Sequence, residues 1–334
     1  MNVYNNGQVH GIPGYTATAM DAAGIGQGMV FLNGELEKRD PKLNEPLQSV
    51  TFARDMPIKT GGGWVETTSN QFIDYATTGG NGNGLIRGQS NDIPLVQANT
   101  SKDIFKVFGW SNVLKVPFID QQKMSGIGRS LDSILDNGIK LNYNKCIDYM
   151  TYRGVPEEKV YGLVNNPNVA ASTVATGAAG TKTWETKTPK EILDDVNSII
   201  NATWENSEYD ISGMANHILI PPKDYTYIVS RVVSDAGNVS ILKYLLENNI
   251  GKEQGVELYI APSRWCIGAG LGGTDRMVAY ANDENRILLD IPVPLQRVMT
   301  QQSVADMAYL SGYAANIGQV KILYTQCIEY YDGI

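Results

Sequence analysis

DQQKMSGIGRSLDSILDNGIKLNYNKCIDYMTYR at residues 120–153, with YGLVNNPNV following at 161–169, is the stretch on which the reading of the fold turns. Pro117 forbids an earlier helical start, and the Asp120 carboxylate can cap the first free amides. Apolar side chains then return at three-to-four-residue multiples, at Ile127, Leu131, Leu135, Ile139, Cys146 and Met150, with Ile134, Leu141 and Ile147 widening the stripe. Gly154 and Pro156 end the run. The spacing predicts a rod of roughly thirty residues, about 50 Å long. Gly126, Gly128 and Gly138 inside it each cost about 1 kcal/mol relative to alanine, so packing along the stripe rather than intrinsic propensity has to hold the rod together. A long strut laid along a sheet meets that need. Asn165-Asn166-Pro167 by itself reads as a turn, because asparagine tolerates left-handed geometry and proline fixes φ.

A spine-like helix followed by Gly162-Leu163-Val164-Asn165-Asn166-Pro167-Asn168-Val169 resembles the major capsid proteins of tailed bacteriophages, whose fold is shared with encapsulin nanocompartments. The order around it agrees: a polar N-terminal segment, a glycine-rich extended excursion, the spine, an α/β middle and a strand-rich C-terminus. The resemblance covers nearly the whole chain and implies an α+β fold. Its parts are an N-terminal arm over 1–53, an extended β-hairpin loop over 54–117, the spine helix of a peripheral domain over 118–162, an α/β axial domain over 163–290, and C-terminal strands of the peripheral domain over 291–334. It further implies a structural protein that self-assembles through pentamers and hexamers into the icosahedral head shell around a double-stranded DNA genome. The alternative on the same fold is an encapsulin-type shell holding cargo enzymes. Such a shell would more often carry an amphipathic cargo-docking helix at its N-terminus, and the glycine-rich N-terminus here has no such pattern. Scaffold, portal and decoration proteins are further implied partners, and the virion capsid, after synthesis in the host cytoplasm, is the implied location.

Composition bounds the alternatives. A chain of 334 residues, 43% hydrophobic and 19% charged, can bury a sizeable core. No charged-then-apolar leader opens it and no apolar run reaches the about eighteen residues that a membrane span needs, so no membrane partner is expected. The net charge is −8. Nucleic-acid binding by counterion release needs a basic stripe, and the longest basic cluster is Lys38-Arg39, so only weak, non-specific contact with packaged DNA is expected.

Taken in order, residues 1–53 hold scattered glycines and the charged run 35–42, without a lasting helical or strand period; ordering them requires a neighbour. Gly24-x-Gly26-x-Gly28 departs from the dinucleotide-binding spacing, and no strand precedes it. Residues 54–117 read as two extended pieces around the tip 79–84, a ribbon that needs a surface to lie on. Gly177 to Thr183 is a near miss for a phosphate loop and reads as a surface loop. Thr188-Pro189-Lys190-Glu191 is a capping box opening a helix with Ile192, Leu193, Val196, Ile199, Ile200 and Trp204 on one face. Strand 218–220, helix 241–246 and strand 256–260 follow. Strand 276–280 is expected to return through a hairpin tip at 282–285 into strand 287–291. The strands near 320–324 and 328–331 are expected to close the sheet under the spine.

Chemistry-bearing patterns are scarce. Cys146, Cys266 and Cys327 stand singly and read as buried reduced thiols. His10 and His217 lie far apart, and His217 heads an apolar strand as a core histidine, so no metal site is expected. Asp194-Asp195 and Asp283-Glu284 read as solvated surface carboxylates. Gly268-x-Gly270-x-Gly272-Gly273 precedes a strand, so it offers no helix N-terminus to a phosphate. No catalytic, cofactor-binding or metal residue is assigned, and the chain is read as a non-enzyme.

Overall fold

The computed structural model describes residues 8–12, 15–18, 49–78, 95–126, 130–234 and 239–334. The chain divides into two compact units, 1–49 and 50–334. In the first, β1 (Gln8–Ile12) pairs antiparallel with β2 (Tyr15–Thr18), a hairpin where the sequence predicted no regular element. The glycine series 24–28 lies outside the described residues.

The second unit opens with α1 (Phe52–Asp55) and β3 (Ile58–Thr60). The ribbon is then built from β4 (Thr67–Thr78) and β5 (Leu95–Pro117), paired antiparallel from Thr67 opposite Lys106 to Thr78 opposite Leu95. Its predicted tip, 79–84, lies outside the described residues. The remaining half of β5 pairs with another strand from Val107 to Pro117, so one 23-residue strand serves two ladders in turn.

The predicted rod differs from the structure at its N-terminal end. Helix α2 (Phe118–Gly126) begins directly after Pro117, and α3 (Leu131–Tyr152) is a separate helix with its own cap: the Ser130 hydroxyl accepts from the Ser133 amide at 3.4 Å. A local cap at Ser130 and the low helix propensity of Gly126 favour a restart over one continuous rod. Ile127 and Gly128 lie outside the described residues. In α3 the predicted Ile139, Ile147 and Met150 are buried, joined by Tyr143, Asp148, Thr151 and Tyr152, while Leu131 and Leu135 are half-buried against Leu114, Val116, Ile139 and Tyr313.

The chain leaves α3 through the small hairpin β6 (Gly154–Val155) and β7 (Val160–Tyr161). Glycine is required at Gly162, where a Cβ would fall 2.2 Å from the Tyr152 carbonyl carbon. The Asn-Asn-Pro turn then ties back on the helix: Asn165 accepts from the Gly162 amide and donates to the Arg153 carbonyl, both at 2.8 Å. Tyr330 donates to the Leu163 carbonyl at 2.6 Å, which seals Leu163 and Val164 in the core.

The following elements are β8 (Ala170–Thr173), α4 (Pro189–Asn206), β9 (His217–Ile220), α5 (Pro222–Ser230), α6 (Ile241–Asn248), α7 (Ile250–Glu253), β10 (Tyr259–Pro262), β11 (Arg276–Tyr280), β12 (Ile287–Ile291), β13 (Val293–Ser303), β14 (Ala308–Gly318), β15 (Val320–Ile322) and β16 (Ile328–Asp332). The capping box of α4 forms in full, with Thr188 and Glu191 exchanging bonds. The sheets run β10-β9-β11-β16-β8, β15-β12-β3 and β13-β14-β5-β4.

Two pairing expectations change. Strands β11 and β12 are not a hairpin: residues 281–286 carry the chain from the five-stranded sheet to the three-stranded one. Strand β16 does not close the sheet under the spine but lies between β11 and β8. Every residue of β16 is buried, with Ile328 and Tyr330 in the core cluster shared with α3 and Tyr331 in the cluster beneath α4. A strand buried along its whole length is an inner strand of a sheet covered on both faces.

Candidate assembly surfaces

One face of the ribbon carries apolar residues outward. Alternation along paired strands puts Ile73, Tyr75, Val96 and Ile104 on one face, and all four are exposed, Tyr75 to 75%. The opposite face, with Thr68, Asn70, Phe72 and Phe105, is half-buried against the body. Phe72 meets Tyr324 edge-to-face at 5.9 Å, the Asn316 amide donates to the Val65 carbonyl at 3.2 Å, and Lys106 pairs with Glu158 at 3.0 Å. The base of the ribbon is therefore fixed while its outward face has no intrachain cover among the described residues. Among the described residues no further strand pairs with either outer edge of the two-stranded stretch, which leaves a template for another chain.

A second apolar surface lies at the far end of the β13–β14 hairpin. Met299, Val304 and Met307 are exposed, Val304 to 85%, beside Phe118 and Ile119 of α2. A cleft of about 210 Å³ opens there between Phe118, Val304, Met307 and Tyr309.

Between these surfaces the body is held by buried charges that sequence spacing does not announce. Asp148 of α3 accepts from the Thr51 and Phe52 amides at 2.9 and 3.2 Å, capping α1 from another element, and also from Trp265 Nε1 at 2.8 Å. Asp55 receives Arg54 on both carboxylate oxygens, at 2.5 and 2.9 Å, and the Tyr152 hydroxyl. Burial pushes the Asp55 carboxyl up, but His217, Arg54 and Tyr152 together outweigh it and hold it below its usual range. Burial and the neighbouring Asp55 charge raise the Tyr152 phenol well above its ordinary value. His217 is a core residue, its ring 4.8 Å from Tyr259 and 5.1 Å from Tyr280, with Nε2 3.5 Å from Asp55. Asp332 grips Arg276 through two bonds, at 2.7 and 2.9 Å, with the guanidinium over the Tyr330 ring.

One surface expectation fails here. Asp195 is buried, ion-paired with Lys187 at 2.5 Å and bonded by Trp184 Nε1 at 3.0 Å, because its helical position faces back toward the loop that precedes α4. Cys266 and Cys327 are free and buried, and Cys146 is free and half-buried. Among the described residues no group of three or more His, Cys, Asp and Glu side chains is arranged to hold a metal, and no helix is long and apolar enough to cross a membrane.

The sequence model of the family described as major capsid protein matches residues 82–334. The chain belongs to the major capsid protein family. It is a structural protein of a capsid shell, and its fold is the one found in phage capsids. The capsid of Myoviridae phage XM1 superposes with a TM-score of 0.74 at 16% identity, over 90% of this chain and 98% of that one. The capsid of a native GTA particle gives 0.60 at 12% identity, over 94% and 99%, and that of Microbacterium phage Oxtober96 gives 0.59 at 11%, over 87% and 92%. No curated protein sequence matches the chain.

Proposed function

We propose that copies of this chain close into an icosahedral shell of pentamers and hexamers around a double-stranded DNA genome, with the ribbon of each copy lying on the adjacent one. The observation that carries this reading is the ribbon's outward face: four apolar side chains on an element with a fixed base and no cover among the described residues. Burying that face between copies offsets the entropy of ordering a ribbon. The division of labour that fits is an arm before residue 50, the ribbon over 64–106, a peripheral body of α2, α3, β13 and β14, and an axial body around α4 and the five-stranded sheet. The net charge of −8 supports weak, non-specific contact with the genome, so an external motor has to drive the DNA inside. Scaffold, portal and decoration proteins are further partners of the same reading. The chain is made in the host cytoplasm, performs no catalysis, and ends in the virion.

The test is particle formation by the purified chain, followed by light scattering and electron cryomicroscopy across salt and pH. Closed particles or capsomer rings are expected. A species that stays monomeric at high concentration under all these conditions counts decisively against the proposal.

A further inference from the structure

The five-stranded sheet ends in two edges, β10 and β8, and the chain treats them differently. In β10 the Tyr259 amide donates to the Asn216 carbonyl at 2.9 Å and the Ser263 amide to the Ile220 carbonyl at 2.8 Å, so alternation turns the backbone of Ile260 and Pro262 to the outer side. Proline has no N–H to offer there, and its carbonyl accepts from Arg54 Nη2 at 2.9 Å. In β8 the Val174 amide donates to the Asp332 carbonyl at 3.2 Å. The same alternation turns Ala170 and Ser172 toward β16 and leaves the N–H and C=O groups of Ala171 and Thr173 on the outer side. Among the described residues no backbone group pairs with them.

Strand edges are ordinarily guarded by lysine, proline or a bulge. Ala170-Ala171-Ser172-Thr173 has no charge and no proline, its register with β16 runs without a shift, and all four residues are exposed. At the end of this strand lies a cleft of about 430 Å³ whose polar wall includes Thr173, Thr176, Lys187, Glu191, Asp194 and Asp195. Three carboxylates stand there against one ammonium. Lys187 is spent on Asp195 at 2.5 Å, and Glu191 on the Ala178 and Thr188 amides, each at 2.7 Å. Asp194 is exposed on α4 and enters no ion pair among the described residues.

We propose that the outer edge of β8 docks an extended polypeptide segment that carries a lysine or arginine. Its backbone pairs with Ala171 and Thr173 as a sixth strand, and its cation enters the cleft beside Asp194. Main-chain bonds supply the attachment and the carboxylates supply the selection, the division of roles usual in strand addition. A second copy of β8 is a poorer occupant, because the strand brings no cation to the cleft. Nothing in this docking depends on shell closure.

Titration of the full chain with fluorescently labelled synthetic peptides tests this, and hydrogen exchange over 168–176 reports where they bind. The probe is a short peptide of alternating threonine and valine with lysine at its centre, and the control has glutamate in that place. The lysine peptide is expected to bind at least about tenfold more tightly, since a like charge beside Asp194 opposes docking, and to slow exchange of the Ala171 and Thr173 amides. Asp194→Lys, at an exposed helix position, should reverse the order of the two peptides. Ala171→Pro should abolish binding of both at an unchanged denaturant midpoint, because the N–H it removes serves no bond within the described chain. If that variant fails to fold, Asp194→Lys carries the test alone. No binding of either peptide, equal affinity for the two, an order that survives Asp194→Lys, or binding without protection of 171 and 173 overturns the proposal. So does protection of these amides that rises with chain concentration in the absence of peptide, which would assign the edge to a second copy.

Discussion

The five-stranded sheet and the ribbon are made from the same kinds of residue and arrange them oppositely. In the sheet, β16 sends Tyr330 into one buried cluster and Tyr331 into the other, so both faces are spent inside the chain. In the ribbon, Phe72 and Phe105 face the body while Ile73, Tyr75, Val96 and Ile104 face away from it. The sheet thus spends its apolar surface inside the chain, and on the proposed reading the ribbon offers its own to a neighbouring copy. Substitutions in the two regions should be separable: the first should change unfolding, the second assembly.

The largest effect on unfolding is expected at Asp332→Ala. Removing it leaves the Arg276 guanidinium buried without its two carboxylate bonds and strips the Leu271 amide of its acceptor, a loss of about 3–5 kcal/mol. Denaturant titration should show it, and an unchanged midpoint would place the stability of the body elsewhere.

Leu135→Ala should cost less, about 1–2 kcal/mol, because the side chain is only half-buried between α3 and the sheet of β5 and β14. A loss as large as that of Asp332→Ala would mean that the start of α3 is more deeply packed than its exposure implies.

A pH effect of about 1 kcal/mol is expected at Asp224, in the first turn of α5. Burial first, and then the charges of Asp275 and Glu185, raise its carboxyl from 3.8 to about 6, against the opposing pull of Lys223. A carboxyl raised in the folded state holds its proton there longer than in the unfolded chain. Its cost is thus absent below about pH 4, grows from there to about pH 6, and is full above that. Asp224→Asn should stabilise the chain at pH 7 and be neutral near pH 4, as read from denaturant midpoints. Equal gains at both pH values would remove the carboxyl's titration as the cause.

The smallest change in unfolding is expected from Ile73→Ser with Tyr75→Ser, within about 0.5 kcal/mol. The same pair should reduce particle yield severely. Hydrogen exchange should show the amides of 67–78 and 95–106 opening readily in free subunits and protected in particles. Equal protection in both states would break the comparison, because the ribbon would then be stabilised by its own body.

What the sequence revealed follows the reach of each signal. Helix α4 was readable because its cap, its proline and its apolar face all lie within one short segment. The Asn-Asn-Pro turn was readable for the same reason, although its tie to Tyr330 across the molecule was not. The middle of the spine followed from its period, but the restart at Ser130 was hidden by an apolar spacing that runs on across Gly126. Partner choice among strands was the larger loss. Strand β16 and the link from β11 to β12 look locally like edge and hairpin elements, and only non-local pairing assigns them. The buried carboxylates escaped for a related reason. Asp148 lies on the inner side of α3 beside Ile147, and its partners come from residues 51, 52, 264 and 265. Such a charge within an apolar stripe is itself a sign of a buried partner.

Strand β5 has a mechanical consequence. Because Leu95–Pro117 runs without a break from the two-stranded ribbon into the ladder with β14, it acts as a cantilever clamped at one end in the sheet beneath the spine. A torque applied to the ribbon by a neighbouring copy has no hinge within the strand to absorb it, and so is delivered to β14 and to the hairpin that β14 shares with β13. If the ribbon lies on a neighbouring copy as proposed, the angle at which one subunit is gripped bears on the posture of its opposite end.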